Sequence, residues 1–135
     1  MISFKQIKLA DKRAAQQQQV IQELNALVKE IERCEAMIAD LKSELETVNA
    51  KYQNRKTTQE DVDFLTDLLA CAKKKLLWEK HLTRLRKRTP EVLEVMSRLL
   101  NDPHAPPSEQ TRGKMLQALQ AVQASMARLQ GINLA

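Results

Sequence analysis

Glycine occurs only twice and proline four times in this chain, and its aromatic set is one Trp, one Tyr and two Phe. Two glycines, Gly113 and Gly131, cannot build a phosphate-cradling loop, where the backbone must approach an anion at several closely spaced positions. Strand-forming residues are too scarce for a sheet. His81 and His104 are the only histidines, and neither has a ligand or nucleophile partner at helical spacing. Cys34 and Cys71 lack the number and the short spacing of a zinc site or a disulfide framework, and both fall at apolar helical positions, where a thiol packs as a small hydrophobe. The reading is therefore no metal, no cofactor, no catalytic constellation and no evident small-molecule substrate, hence no enzyme. No apolar run approaches the roughly 18 residues of a membrane span. The amino terminus MISFKQIKLADKR becomes charged before a signal-peptide stretch can develop, so a cytoplasmic location without membrane insertion is expected.

What is abundant is Leu, Ala, Gln, Glu and Lys, residues that lose little on entering a helix. Val20, Leu24, Leu27, Ile31, Cys34, Ile38, Leu41, Leu45, Val48 and Tyr52 alternate spacings of four and three, a heptad seam sustained over more than four repeats. This predicts a first helix over about 3–52, on the order of 75 Å long. The pattern breaks at Tyr52–Asp61, where Thr57 with Glu60, or Thr58 with Asp61, has the spacing of an amino-terminal capping pair. A short connection there folds a second helix, over about 58–101, back antiparallel to the first. Residues whose numbers add to about 110 then lie abreast, setting Ile38 beside Ala72.

The second helix carries two apolar stripes. One is Val62, Leu65, Leu69, Ala72 and Leu76; the other is Phe64, Leu68, Cys71 and Trp78, continued by Leu82, Leu85, Val92, Met96 and Leu99. One neighbouring helix does not readily cover both. Thr89-Pro90-Glu91 reads as an N-cap followed by proline at a first helical position, so a kink or a fresh helix start is expected near 89–90. Prolines 103, 106 and 107 mark a loop over 102–107, and Ser108 caps a third helix over about 108–130. Met115, Leu119, Val122, Met126 and Leu129 form its apolar face, which should cover part of the second stripe, and Gly131 should end it in a left-handed conformation. The whole is a single all-α domain over 1–135: a long antiparallel coiled-coil hairpin with a third helix, or a fourth after Pro90, completing a helical bundle. The terminal segment Gly131–Ala135 has the apolar character of a tail that packs on its own bundle.

The formal charge of +5 and pI near 9.4 raise an acidic partner or nucleic acid. Lys73, Lys74, Lys75, Lys80, Arg84, Arg86, Lys87 and Arg88 face only the single acid Glu79, a net +7 for residues 73–88. Residues 23–46 of the first helix hold seven acids against three cations, a net −4. An antiparallel hairpin lays these segments side by side, so much of the basic run is expected to form interhelical pairs. The excess left around Arg84–Arg88 is what a phosphate backbone would meet, although aromatics to stack on exposed bases are nearly absent.

In organisation, this short, basic, aromatic-poor hairpin over about residues 3–101 is similar to the stalk proteins of flagellar and type III secretion export machines. That resemblance implies a small coiled-coil component of a secretion or export machine; the helix after Pro107 departs from it. The residues themselves lead to a non-catalytic adaptor or structural subunit that presents helical surface to a protein partner or to a second copy. Its candidate packing or oligomer seam is Leu24, Leu27, Ile31, Ile38, Leu41, Leu45, Phe64, Leu68, Trp78, Leu82 and Leu85. The alternative is a basic module that contacts nucleic-acid phosphates through the 73–88 segment.

Overall fold

A computed structural model describes residues 4–131. It contains α1 (Phe4–Lys51), α2 (Thr58–Leu100) and α3 (Glu109–Gln130), and no strand among the described residues. The fold is all-α: α1 and α2 form an antiparallel coiled-coil hairpin, and α3 packs on α1 as part of a helical bundle. Ser3, where the sequence pattern lets the first helix begin, and the tail after Gly131 lie outside the described residues.

The chain divides into two compact units, one of Met1–Ile31 with Leu85–Ala135 and the other of Glu32–Arg84. The second unit contains the hairpin turn. Thr57 Oγ1 accepts the Glu60 N–H at 3.2 Å and donates to the Glu60 carboxylate at 3.0 Å, which starts α2. Arg55 organises the turn: its guanidinium binds Asp61 at 3.0 Å and the Tyr52 carbonyl at 3.1 Å, and lies 4.1 Å from the Phe64 ring centre. Further along the hairpin, Lys74 pairs with Glu44, and the buried Trp78 indole donates to the Cys34 carbonyl at 3.2 Å. These contacts mirror about a point between residues 56 and 60, a few residues beyond the centre near 55 that the sequence suggests. The expected Ile38–Ala72 apposition does not form, because Ile38 is buried while Ala72 faces outward.

In the first unit, α1 buries Gln17, Val20, Ile21, Leu24, Leu27 and Ile31, and α2 buries Leu85, Thr89, Val92, Met96 and Leu99. Both faces keep heptad spacing. α2 runs through Pro90 without a break. The proline ring removes one backbone hydrogen bond and crowds the preceding turn, costs that together come to about 3 kcal/mol. They are offset because the buried stripe Leu85, Thr89, Val92, Met96, Leu99 continues across it. Thr89 accordingly does not cap a new helix; its hydroxyl is buried and makes no hydrogen bond.

The connection to α3 is tied down by polar contacts. Gln17 Nε2 donates to the Ala105 carbonyl at 3.2 Å, Arg13 pairs with Asp102 at 3.0 Å, and Asp102 accepts the His104 N–H at 2.9 Å. Ser108 caps α3 by accepting the Thr111 N–H at 3.2 Å. The buried face of α3 is Met115, Ala118, Val122, Ser125 and Leu129, with Leu119 and Met126 only half-buried. It is thus turned from the face expected from the larger side chains; Ala118 and Ser125 let the helix backbone approach its neighbour closely. Gly131 ends the helix in a right-handed conformation, φ −74° and ψ −9°, rather than the left-handed one expected.

Candidate helical interaction surface

The second unit contains no part of α3, so within it α2 meets a single neighbour, α1. A helix with one neighbour buries one stripe of its surface. Residues one position apart point about 100° apart around the axis, so burying the Phe64, Leu68, Cys71, Trp78, Leu82 stripe turns the Leu65, Leu69, Ala72, Leu76 stripe away. The choice follows from the side chains. The buried stripe carries the only tryptophan, whose indole N–H finds the Cys34 carbonyl, and Phe64, whose ring stands 5.6 Å from that of Tyr52.

The consequence is an uncovered heptad: Val62 is 50 % exposed, Leu65 63 %, Leu69 56 % and Leu76 60 %, with Leu77 beside them at 52 %. Solvated leucines are ordinary singly, but a run at three-four spacing is the pattern of a helix seam. The residues named from sequence as the seam have the opposite fate. Leu24, Leu27, Ile31, Ile38, Leu41, Trp78, Leu82 and Leu85 are buried, and Leu45, Phe64 and Leu68 are half-buried. They pack the chain's own helices against one another. In this unit the second stripe is covered by α1.

Charge flanks the exposed stripe unevenly. Asp61 and Asp63 stand at its start, with Glu60 half-exposed beside them; Lys73, Lys75 and Lys80 are exposed towards its end. All eight cations of the 73–88 segment are exposed on α2. Of these eight, two pair with an acid among the described residues: Lys74 with Glu44, and Arg88 with Glu23 at 3.9 Å. Neutralisation along the hairpin is therefore much less than the charge sums suggest: Lys73, Lys75, Lys80, Arg84, Arg86 and Lys87 are in no ion pair there. Comparison with protein families, curated proteins and solved structures returns no match to the chain.

Other chemistry-bearing groups are dispersed. The described residues hold no group of three or more His, Cys, Asp or Glu arranged to bind a metal, and no described helix is long and apolar enough to cross a membrane. Cys34 and Cys71 are buried thiols outside any disulfide. A cleft of about 400 Å³ in the first unit is lined by Arg13, Gln16, Val20, Glu23, Arg98 and Asp102. Its two cations and two anions balance, and Arg13 is already paired with Asp102. A smaller cleft of about 210 Å³ in the second unit lies beside Met37, Leu41, Glu44, Lys74, Leu77 and Trp78.

One polar cluster escaped the sequence reading. The Tyr52 hydroxyl donates to Asp67 at 2.8 Å across the hairpin. That hydrogen bond to the carboxylate, followed by burial, raises the phenol above its ordinary value of 10.0. Hydrogen bonding to Glu44 likewise raises Lys74 above 10.5. The signal was present as a tyrosine ending the seam and an aspartate one turn past Phe64, but pairing them requires the register, which the periodicity alone leaves several residues uncertain.

Proposed function

We propose that this chain is a non-catalytic helical interaction subunit of the cytoplasm that offers the outer face of α2 to another helix. The observation that carries the reading is the solvent-exposed heptad Val62, Leu65, Leu69, Leu76 on a helix whose other stripe is already used by α1. Each of these half-exposed side chains regains on the order of 1 kcal/mol when covered, so the valine and three leucines in register give a helix-sized interface a useful driving force. The test is co-purification from the source cells with the wild-type chain and with Leu65→Gln/Leu69→Gln. Proteins retained by the first and lost by the second, this chain's own copies included, support the reading. Identical sets, with helical content unchanged, sink it.

A second reading is favoured by a separate observation, the six exposed cations of the 73–88 segment in no ion pair among the described residues. They suit phosphates, in nonspecific contact with nucleic acid. If the three that share one side of α2 in the second unit, Lys73, Lys80 and Arg84, engage a duplex, the logarithm of the binding constant should fall with that of salt with a slope of about −3. A salt-insensitive complex, or none at 50 mM salt, removes this reading without touching the first.

A further inference from the structure

The exposed stripe has a charge pattern that selects among helices that could cover it. With Val62 as heptad position a, Leu65 and Ala72 occupy d, Leu69 and Leu76 occupy a, Asp61 and Lys75 lie on the g edge, and Lys73 and Lys80 lie on the e edge. On the flanks the amino end carries the acid Asp61, with Glu60 and Asp63 beside it at outer positions, and the carboxyl end carries the bases Lys73, Lys75 and Lys80. Such a segment is its own complement when reversed. We infer that the occupant of this face is the same face of a second copy of the chain, packed antiparallel as a twofold dimer. This deepens the reading above and rests on it.

In an antiparallel pair the g edge of one helix runs beside the g edge of the other. With Leu65 opposing Leu69 of the second copy, Asp61 comes next to Lys75 of that copy, and the twofold axis makes the contact twice. A parallel pair instead brings the g edge against the e edge of the next heptad, placing Lys75 against Lys80 of the second copy and the two basic ends side by side. Like charges at that spacing oppose assembly. Asp61 is available despite its contact with Arg55, since its side chain remains 62 % exposed. Lys73, Lys75 and Lys80 form no ion pair among the described residues. The apolar residues and the charges thus agree on one orientation.

The experiment is sedimentation equilibrium of the full chain from about 1 to 200 μM, for the wild type, Leu65→Gln/Leu69→Gln, Asp61→Lys, Lys75→Asp and the double reversal Asp61→Lys/Lys75→Asp. Circular dichroism reports whether each variant keeps its helices. The wild type should be a concentration-dependent dimer. The leucine variant should dissociate roughly 100-fold or more weaker. Each single reversal should weaken the dimer roughly tenfold, and the double reversal should restore most of it, because it re-forms both pairs with signs exchanged. A wild type that stays monomeric to 200 μM overturns the inference. So does a dimer indifferent to the leucine changes, and so does one that the double reversal fails to restore, which excludes the antiparallel contact. A monomer whose co-purifying protein is nevertheless lost with Leu65→Gln/Leu69→Gln overturns this inference alone and leaves the proposed function standing.

Discussion

Truncating Leu41 and truncating Leu69 to alanine are the same chemical change in the same compact unit, yet the structure assigns them different costs. Leu41 is 3 % exposed and lies in the α1 seam; Leu69 is 56 % exposed on the outer face of α2. Removing three carbon groups from a buried leucine forfeits about 2.4 kcal/mol at about 0.8 per group, and the cavity left behind raises this to between about 2 and 5. At Leu69 less than half of that transfer free energy is at stake and no closed cavity forms, so the loss is at most about 1 kcal/mol, partly offset by the better helix propensity of alanine. Urea unfolding followed by fluorescence of the single tryptophan, Trp78, reads the second unit directly. With a urea dependence of roughly 2 kcal/mol per molar, Leu41→Ala should lower the midpoint by about 1 M or more and Leu69→Ala by less than about 0.5 M, extrapolated to dilute protein. A Leu69→Ala loss that equals or exceeds that of Leu41→Ala in the dilute limit would refute the assignment of the inner and outer stripes.

Three further outcomes are expected. Because the Tyr52 phenol is raised by its bond to Asp67, the folded state binds that proton more tightly than the unfolded chain; the resulting stability is fully present below pH 10.0 and is lost as pH rises through the higher folded value, with Lys74 acting in the same direction. Absorbance titration of this single tyrosine should show a transition above 10.0 that returns towards it in Asp67→Ala, and a wild-type midpoint at or below 10.0 would contradict the contact. Pro90→Ala should stabilise the first unit by about 1–3 kcal/mol by restoring a hydrogen bond within a continuous α2, whereas a loss of stability on thermal unfolding would mean the proline terminates or bends the helix to advantage. Ser108→Ala should cost about 1 kcal/mol through loss of the α3 cap while Ser108→Gly costs less, a ranking that thermal denaturation followed by circular dichroism can check.

The helices and the hairpin were legible because period and punctuation agree. A three-four alternation over more than four heptads has no strand reading, and Thr57 with Glu60 marks the start of α2 as closely as a cap can. Less legible was which of two good stripes α2 would bury. Leucine content does not separate them; the indole bond of Trp78 and the Tyr52–Phe64 ring contact do, and both depend on residues far apart in sequence. Pro90 misled for a related reason. Local rules make Thr89-Pro90-Glu91 a helix start, but burial on both sides of the proline outweighs the lost hydrogen bond. The turned face of α3 shows the same limit, since Ala118 and Ser125 carry little hydropathy yet are buried. Charge sums over segments were the weakest guide to pairing, because an ion pair needs two particular side chains opposed, and Lys74 and Arg88 meet that condition where six neighbouring cations do not.

The division into units has a consequence for the order of folding. Glu32–Arg84 is one uninterrupted stretch of chain, closed by a turn of a few residues, whereas the other unit must bring together Met1–Ile31 and Leu85–Ala135 across everything between. Closing a short connection costs far less chain entropy than closing a separation of more than fifty residues, and formation of the inner hairpin removes most of that separation beforehand. The stretch around Arg55 is therefore the expected nucleus. Substitutions in the seam of Glu32–Arg84, such as Leu41→Ala, should slow folding, while comparable ones at Leu24 or Val122 should leave folding nearly unchanged and speed unfolding. In a chain made as it is read, the inner hairpin would be complete before the segment carrying α3 exists, and the amino-terminal third of α1 would wait longest for its neighbours.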